Sequence, residues 1–129
     1  MSTGSETATT AYAVKRIEDM RAIHHGAVTL AAAELGVRSF GMQLLDFPAG
    51  FTGYPEHDHA GDGMEEVYVV LRGSGAFTVD GERVPVDEGR MLRIAPEARR
   101  TLQPGPDGVR LLAVGCTIGR PYERPEGFR

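Results

Sequence analysis

The chain has 129 residues, which is enough for one domain with a single hydrophobic core and too few for two. Hydrophobic residues make up 41% and charged residues 25%, a composition that excludes a disordered or fibrous chain. The net charge is −4, and Arg99-Arg100 is the tightest group of basic residues, so the chain is not expected to bind nucleic acid.

The N-terminal residues 1–11 are mostly small and polar. Such residues do not offset the entropic cost of ordering, so we predict a flexible tail there. The tail lacks the basic and then apolar layout of a signal peptide, and no apolar run approaches the ~20 residues of a membrane span. We therefore expect a soluble, cytoplasmic protein with no membrane partner.

Residues 12–36 form a second segment with one predicted short helix. The run from Ala27 to Leu35 is rich in helix formers and ends at Gly36, a residue type typical of the position just past a helix. His24 and His25 precede this run and are adjacent, so they lie on different faces of any regular element. We interpret both as surface residues.

Residues 37–118 show the pattern of many short strands, followed by a C-terminal tail over residues 119–129. The chain has 17 glycines and 8 prolines, and turn residues recur between short apolar runs, which favours a sandwich or closed barrel. We predict an all-β fold, with the single cysteine, Cys116, buried in the last strand. The predicted strands are Val37–Phe47, Glu66–Leu71, Ala76–Val79, Arg83–Val86, Met91–Ile94, Thr101–Leu102 and Val109–Cys116.

Three good metal ligands lie close together in the sequence: His57, His59 and Glu66. Residues two apart on a strand point to the same face, so both imidazoles can converge on one ion. The connection from residue 60 to residue 64 can return the chain beside them and bring Glu66 to the same ion. Two histidines and one carboxylate with open positions suit Fe(II), Mn(II), Ni(II) or Zn(II). The alternative is that all three are solvated loop residues.

The strand that begins at Glu66 also predicts a pocket. Tyr68 and Val70 share the face of Glu66 and are expected to point into the barrel, while the residues between them face outward. Those outward residues are apolar too, so the helix or a second subunit is expected to cover them. Further candidates for the pocket wall are Tyr54, Gln43, Met42 and Met91.

These residues resemble the first motif of the cupin superfamily: a glycine, His-x-His, a glutamate and, after six more residues, a second glycine. Gly50, His57, His59, Glu66 and Gly73 stand in that order, with six residues between Glu66 and Gly73. The resemblance covers about residues 37–118. It implies a double-stranded β-helix, the jelly-roll barrel of cupins, and it also implies a homodimer.

The stretch from Gly81 through Gly89 to Pro96 and beyond resembles the second cupin motif. In the family, that motif normally ends in a histidine that supplies a fourth metal ligand. Arg100 stands at that place here. Its side chain can point away and leave an open three-ligand site, pair with Glu66 in a metal-free pocket, or hold the carboxylate or phosphate of an acidic ligand.

Two functions remain open at this stage. In the first, His57, His59 and Glu66 hold a divalent transition metal, and the protein binds or acts on a small, possibly acidic, molecule. In the second, a metal-free cupin binds or senses a small molecule, with a Glu66–Arg100 pair in its pocket. The resemblance spans dioxygenases, isomerases, decarboxylases and epimerases, so it does not select a reaction.

Overall fold

The structure is a computed structural model that describes residues 11–129. The tail predicted for residues 1–11 therefore lies outside the described residues except for its last position. Seven strands occur in the described range: β1 (Ala22–Ile23), β2 (Val28–Thr29), β3 (Gly41–Phe47), β4 (Met64–Val79), β5 (Glu82–Asp87), β6 (Met91–Ile94) and β7 (Arg100–Thr117). One helix, α1 (Ala31–Leu35), follows β2, and two short 3-10 turns cover Ile17–Asp19 and Glu126–Phe128.

All the strand pairs are antiparallel, and the sheet order is β1-β2-β3-β7-β4-β5, with β6 also paired to β4. The first half of β4 lies between β6 and the end of β7, and its second half lies between β5 and the start of β7. The predicted all-β fold is confirmed. Across residues 11–129, no helix is long and apolar enough to cross a membrane.

Two strands are longer than the sequence predicted. We expected turns around residues 72–75 and 104–108, whereas β4 and β7 run through both positions with register shifts between Val70 and Arg72 and between Gly73 and Gly75. Gly73 has a φ of +79°, and a Cβ there would lie 2.1 Å from the carbonyl oxygen of Gly108. The glycine therefore forms a bulge between two close strands instead of ending one of them.

The N-terminal segment also differs from its prediction. The helix covers only Ala31–Leu35, because Val28 and Thr29 pair with both β1 and β3 as a short strand. Its predicted C-terminus is confirmed, since Gly36 caps the helix in the left-handed conformation, with a φ of 78°.

The core lies inside the folded sheet. The most buried members of its main hydrophobic cluster are Phe77, Leu111, Leu102, Ile94 and Tyr68. Burial of these side chains stabilises the barrel by roughly 1.5–3 kcal/mol for each large apolar group. The predicted inward orientation of Tyr68 and Val70 is confirmed, at 2% and 5% exposure. The prediction for Cys116 was wrong: it is exposed, because it pairs with Glu65 on the outer side of β7.

Candidate metal centre and ligand cavity

The two histidines belong to a segment that is hydrogen-bonded along the beginning of β7. The amide of His57 donates to the Arg100 carbonyl at 3.0 Å, and the amide of Arg100 donates to the His57 carbonyl at 2.8 Å. The amide of His59 donates to the carbonyl of Pro96 at 2.8 Å. The segment forms an isolated bridge and not a strand of its own, but its backbone is hydrogen-bonded to the barrel at both histidines.

The structure brings the three predicted metal ligands together. One ligand atom from each of His57, His59 and Glu66 lies within 4.8 Å of the other two. The two imidazole rings meet edge to face, with their centres 5.1 Å apart. Gly115, which pairs with Glu66 across β4 and β7, leaves space for this arrangement, because a Cβ there would lie 3.0 Å from Cγ of Glu66.

Both imidazoles are oriented through Nδ1. Nδ1 of His57 lies 2.9 Å from the Pro55 carbonyl oxygen, which only accepts, so this nitrogen carries the hydrogen. Nδ1 of His59 lies 3.1 Å from Oδ1 of Asp62. Each ring therefore keeps Nε2 for another partner. Nε2 of His59 is buried, and it has no hydrogen-bond partner among the described residues.

Arg100 holds the Glu66 carboxylate from the side of the protein interior. Nη1 of Arg100 donates to Oε1 of Glu66 at 2.5 Å, while its other nitrogens donate to the carbonyls of Ala95 and Ala98 at 2.9 and 3.1 Å. The Arg100 side chain is 0% exposed. Of the three orientations open from sequence, the structure has the pairing with Glu66. The guanidinium neither points away nor belongs to the cavity wall.

Two tyrosines extend this network into the cavity. The Tyr68 hydroxyl donates to Oε1 of Glu66 at 2.7 Å, and the hydroxyls of Tyr54 and Tyr68 lie 3.0 Å apart. Arg100 and Tyr68 thus both contact Oε1. Across residues 11–129, no hydrogen bond to Oε2 of Glu66 is found, so that oxygen is available to a ligand.

The environment shifts several pKa values in the cluster. Burial raises the pKa of Glu66, but the nearby imidazole of His59, the hydrogen bond from Tyr68 and the charge of Arg100 outweigh it, so the pKa lies below its usual value. The Glu66 carboxylate, 3.6 Å from Nε2, raises the pKa of His59 against the effect of burial, and Asp62 adds to this effect. Burial raises the pKa of Tyr54 to about 12 and that of Tyr68 well above its ordinary value.

The cluster opens into a cavity of about 700 Å³. Gln43, Tyr54 and Tyr68, three of the candidates for the pocket, lie in its wall. Met42 does not line it, and Met91 lies on the outer surface at 75% exposure. Glu65, next to Glu66, also faces outward and contacts Arg93 at 3.0 Å.

Other parts of the wall were not expected from the sequence. His24 and His25 are exposed, as expected for surface residues, but both also line the cavity at the β1–β2 turn. The C-terminal tail supplies Tyr122 and Phe128. The only sequence signal for this part of the wall was the presence of aromatic residues in a tail rich in proline and glycine.

The donor set fits a divalent transition metal. It consists of two imidazole nitrogens and one carboxylate, and one of these nitrogens is buried without a hydrogen-bond partner among the described residues. In each histidine the opposite nitrogen is held by a carbonyl or carboxylate, an arrangement that is typical of metal-binding histidines.

The fold and the site together define a small antiparallel β-barrel with a histidine- and carboxylate-containing cavity. Residues 43–115 match the family model described as "Cupin domain", a stretch of more than half the chain. The chain belongs to the cupin family. No curated protein matches its sequence.

Several solved structures share the fold. A cupin protein from Bacteroides fragilis has a TM-score of 0.71 and 22% identity, over 91% of this chain and 93% of that one. The cupin domain of an XRE family transcriptional regulator from Enterobacter cloacae has a TM-score of 0.55 and 18% identity, over 64% and 84% of the two chains. A predicted oxalate decarboxylase from Thermotoga maritima has a TM-score of 0.51 and 24% identity, over 73% and 70%. These likenesses show the fold alone.

Proposed function

We propose that this cupin binds a divalent transition metal through His57, His59 and Glu66 and holds a small molecule in the adjoining cavity. The observation that carries the proposal is the buried Nε2 of His59, which has no hydrogen-bond partner among the described residues and lies within 4.8 Å of ligand atoms of the other two residues. A buried polar atom without a partner costs about 1–3 kcal/mol, and coordination of an ion removes this cost.

The metal is expected to be Fe, Mn, Ni or Zn, since imidazole and carboxylate ligands suit these ions. When bound, such an ion supplies a Lewis acid or a redox centre beside the cavity. The chain itself orients the ligands. The Pro55 carbonyl and the Asp62 carboxylate fix the two rings, and Arg100 holds Oε1 of Glu66 while Oε2 remains free of hydrogen bonds from the described residues.

A second function, a metal-free binding or sensing cupin, is favoured by one specific contact. The Arg100 guanidinium already neutralises Glu66 at 2.5 Å, so the carboxylate does not need a metal ion to be stable when buried. The positive charge of Arg100 also lowers the affinity of the site for a cation. In this function, the same cavity binds its ligand through the wall residues alone.

Elemental analysis by inductively coupled plasma mass spectrometry separates the two functions. Full-length protein without a histidine tag is expected to contain close to one equivalent of metal, and the variants His57→Ala and His59→Ala are expected to lose it. His25→Ala is the matched control, because His25 lies on the cavity rim outside the cluster and its loss is expected to leave the metal content unchanged.

Circular dichroism of each variant establishes that the fold persists. If wild-type protein retains no metal after incubation with Fe(II), Mn(II), Ni(II) or Zn(II), the metal-binding function is wrong and the metal-free function takes its place. Equal metal content in His25→Ala and His57→Ala would likewise contradict the proposed site, because the metal would then bind at another place.

A further inference from the structure

The cavity wall is rich in aromatic side chains. Six of the nine aromatic residues of the chain line it, although they come from separate elements and from the C-terminal tail. They are Phe47, Phe51, Tyr54, Tyr68, Tyr122 and Phe128.

Several of these rings form a continuous row that ends at the histidine cluster. Phe51 stacks on Phe47 with ring centres 4.5 Å apart, and Phe47 meets Tyr54 at 5.5 Å. Tyr54 in turn meets the ring of His57 edge to face at 5.5 Å. The row therefore runs without a gap along the wall from Phe51 to the cluster.

Two glycines of the wall give these rings their space. A Cβ at Gly53 would lie 2.7 Å from the ring of Phe51, and a Cβ at Gly41 would lie 2.8 Å from the hydroxyl of Tyr122. Real Cβ atoms essentially never come so close, so any larger residue at either glycine would displace an aromatic ring from the wall.

The same wall offers almost no charged side chains to an occupant. Among the described residues that line the cavity there is no lysine or arginine, and Glu66 is the single carboxylate. An occupant therefore gains its affinity along most of the wall from contacts with rings and aliphatic side chains. Its polar atoms meet partners mainly at the cluster, at Gln43 and at the histidine rim.

We propose that the cavity binds a planar aromatic molecule, with its ring against this row and its oxygen-bearing end toward His57, His59 and Glu66. The volume of about 700 Å³ lies within the usual range for small-molecule sites and has space for two fused rings. The orientation of the polar end rests on the proposed function. The preference for an aromatic ring does not, because it depends on the wall alone.

The test uses a neutral matched pair, naphthalenemethanol and its saturated analogue decahydronaphthalenemethanol, titrated into the full-length protein by isothermal titration calorimetry. The aromatic alcohol is expected to bind about 3-fold or more tightly, because favourable ring–ring geometry adds to the burial of apolar area. Phe128→Leu and Phe51→Leu are expected to reduce this ratio by about 2-fold or more. Tyr12→Leu is the matched control, since Tyr12 is 79% exposed and lies outside the wall.

Each titration is carried out on both metal-loaded and chelator-treated protein. Aromatic preference in protein that retains no metal would support this inference while the proposed metal function fails. Bound metal without any aromatic preference would overturn the inference while the metal function stands. Equal affinity for the two alcohols, no binding of either, or an unchanged ratio in both Phe51→Leu and Phe128→Leu would also overturn it.

Discussion

Nη1 of Arg100 donates to Oε1 of Glu66 at 2.5 Å, and the two residues differ sharply in their surroundings. The arginine is completely buried, whereas Glu66 lines the cavity. The carboxylate is therefore fixed from the protein interior and presents its other oxygen to the cavity.

Replacement of Arg100 by methionine is expected to destabilise the protein strongly. The change keeps an apolar side chain in the buried space but leaves the charge of Glu66 without its counter-ion. Removal of one partner of a buried pair costs about 3–5 kcal/mol in the free energy of unfolding, which urea denaturation measures.

The neighbouring change Arg99→Met is the control for this prediction. The Arg99 side chain is 53% exposed, and its contact with Asp58 is 3.4 Å long, so its loss is expected to cost no more than about 1 kcal/mol. Equal losses in the two variants would contradict the structural role given to Arg100.

Replacement of Asp62 by asparagine is expected to weaken metal binding by about 10- to 100-fold, because Nδ1 of His59 loses its charged acceptor. The amide oxygen of asparagine can still accept the hydrogen bond from the amide of Met64, so the loop is expected to stay intact. Competition with a chelating dye measures the change in affinity. Glu65→Gln is the control, and a similar loss of affinity in that variant would indicate a general charge effect instead of orientation of His59.

Because two tyrosines are buried, we expect the protein to lose stability steeply at high pH. The pKa of Tyr54 is raised to about 12, and that of Tyr68 is raised well above 10.0, mainly by burial. Since both folded-state pKa values lie above those of the unfolded chain, their contribution to stability is fully present below about pH 10 and is lost as the pH rises toward 12.

Tyrosinate absorbance and circular dichroism, recorded in one titration, check this prediction. The last tyrosines are expected to ionise together with unfolding, and Tyr54→Phe is expected to remove one of these late steps. In guanidinium, all four tyrosines should titrate near pH 10. If all four also ionised there in the native protein without any loss of fold, the burial of the Tyr54–Tyr68 pair would be wrong.

The fold class was predictable because its signals are local. Alternation along Glu66, Tyr68 and Val70 depends only on the two-residue period of a strand, and the spacing of glycines and prolines indicates many short strands. Strand continuity was not predictable in the same way. Whether Gly73 ends a strand or forms a bulge depends on Gly108, which lies on another strand and contacts it at the bulge.

The candidate site was also predictable only in part. Its three candidate ligands could be found from their spacing, whereas the orientation of Arg100 required the distance to Glu66 and the two carbonyls that surround its guanidinium. The aromatic wall from the C-terminal tail depends on contacts that join distant parts of the chain. Arg120 donates to the carbonyl of Asp62 at 3.1 Å, and Tyr122 packs on Gly41.

The buried guanidinium also sets the electroneutrality of the cluster. With neutral imidazoles, the charges of Arg100 and Glu66 cancel, and the Asp62 carboxylate beside Nδ1 of His59 contributes one negative charge. A divalent ion there would therefore leave one net positive charge in a region of low dielectric constant, which favours an anion as its next partner. Hydroxide, a carboxylate or the phenolate of an aromatic ring would each restore the balance. The acidic group of an occupant would then be recognised only at the ion, whereas its ring would be recognised along the wall.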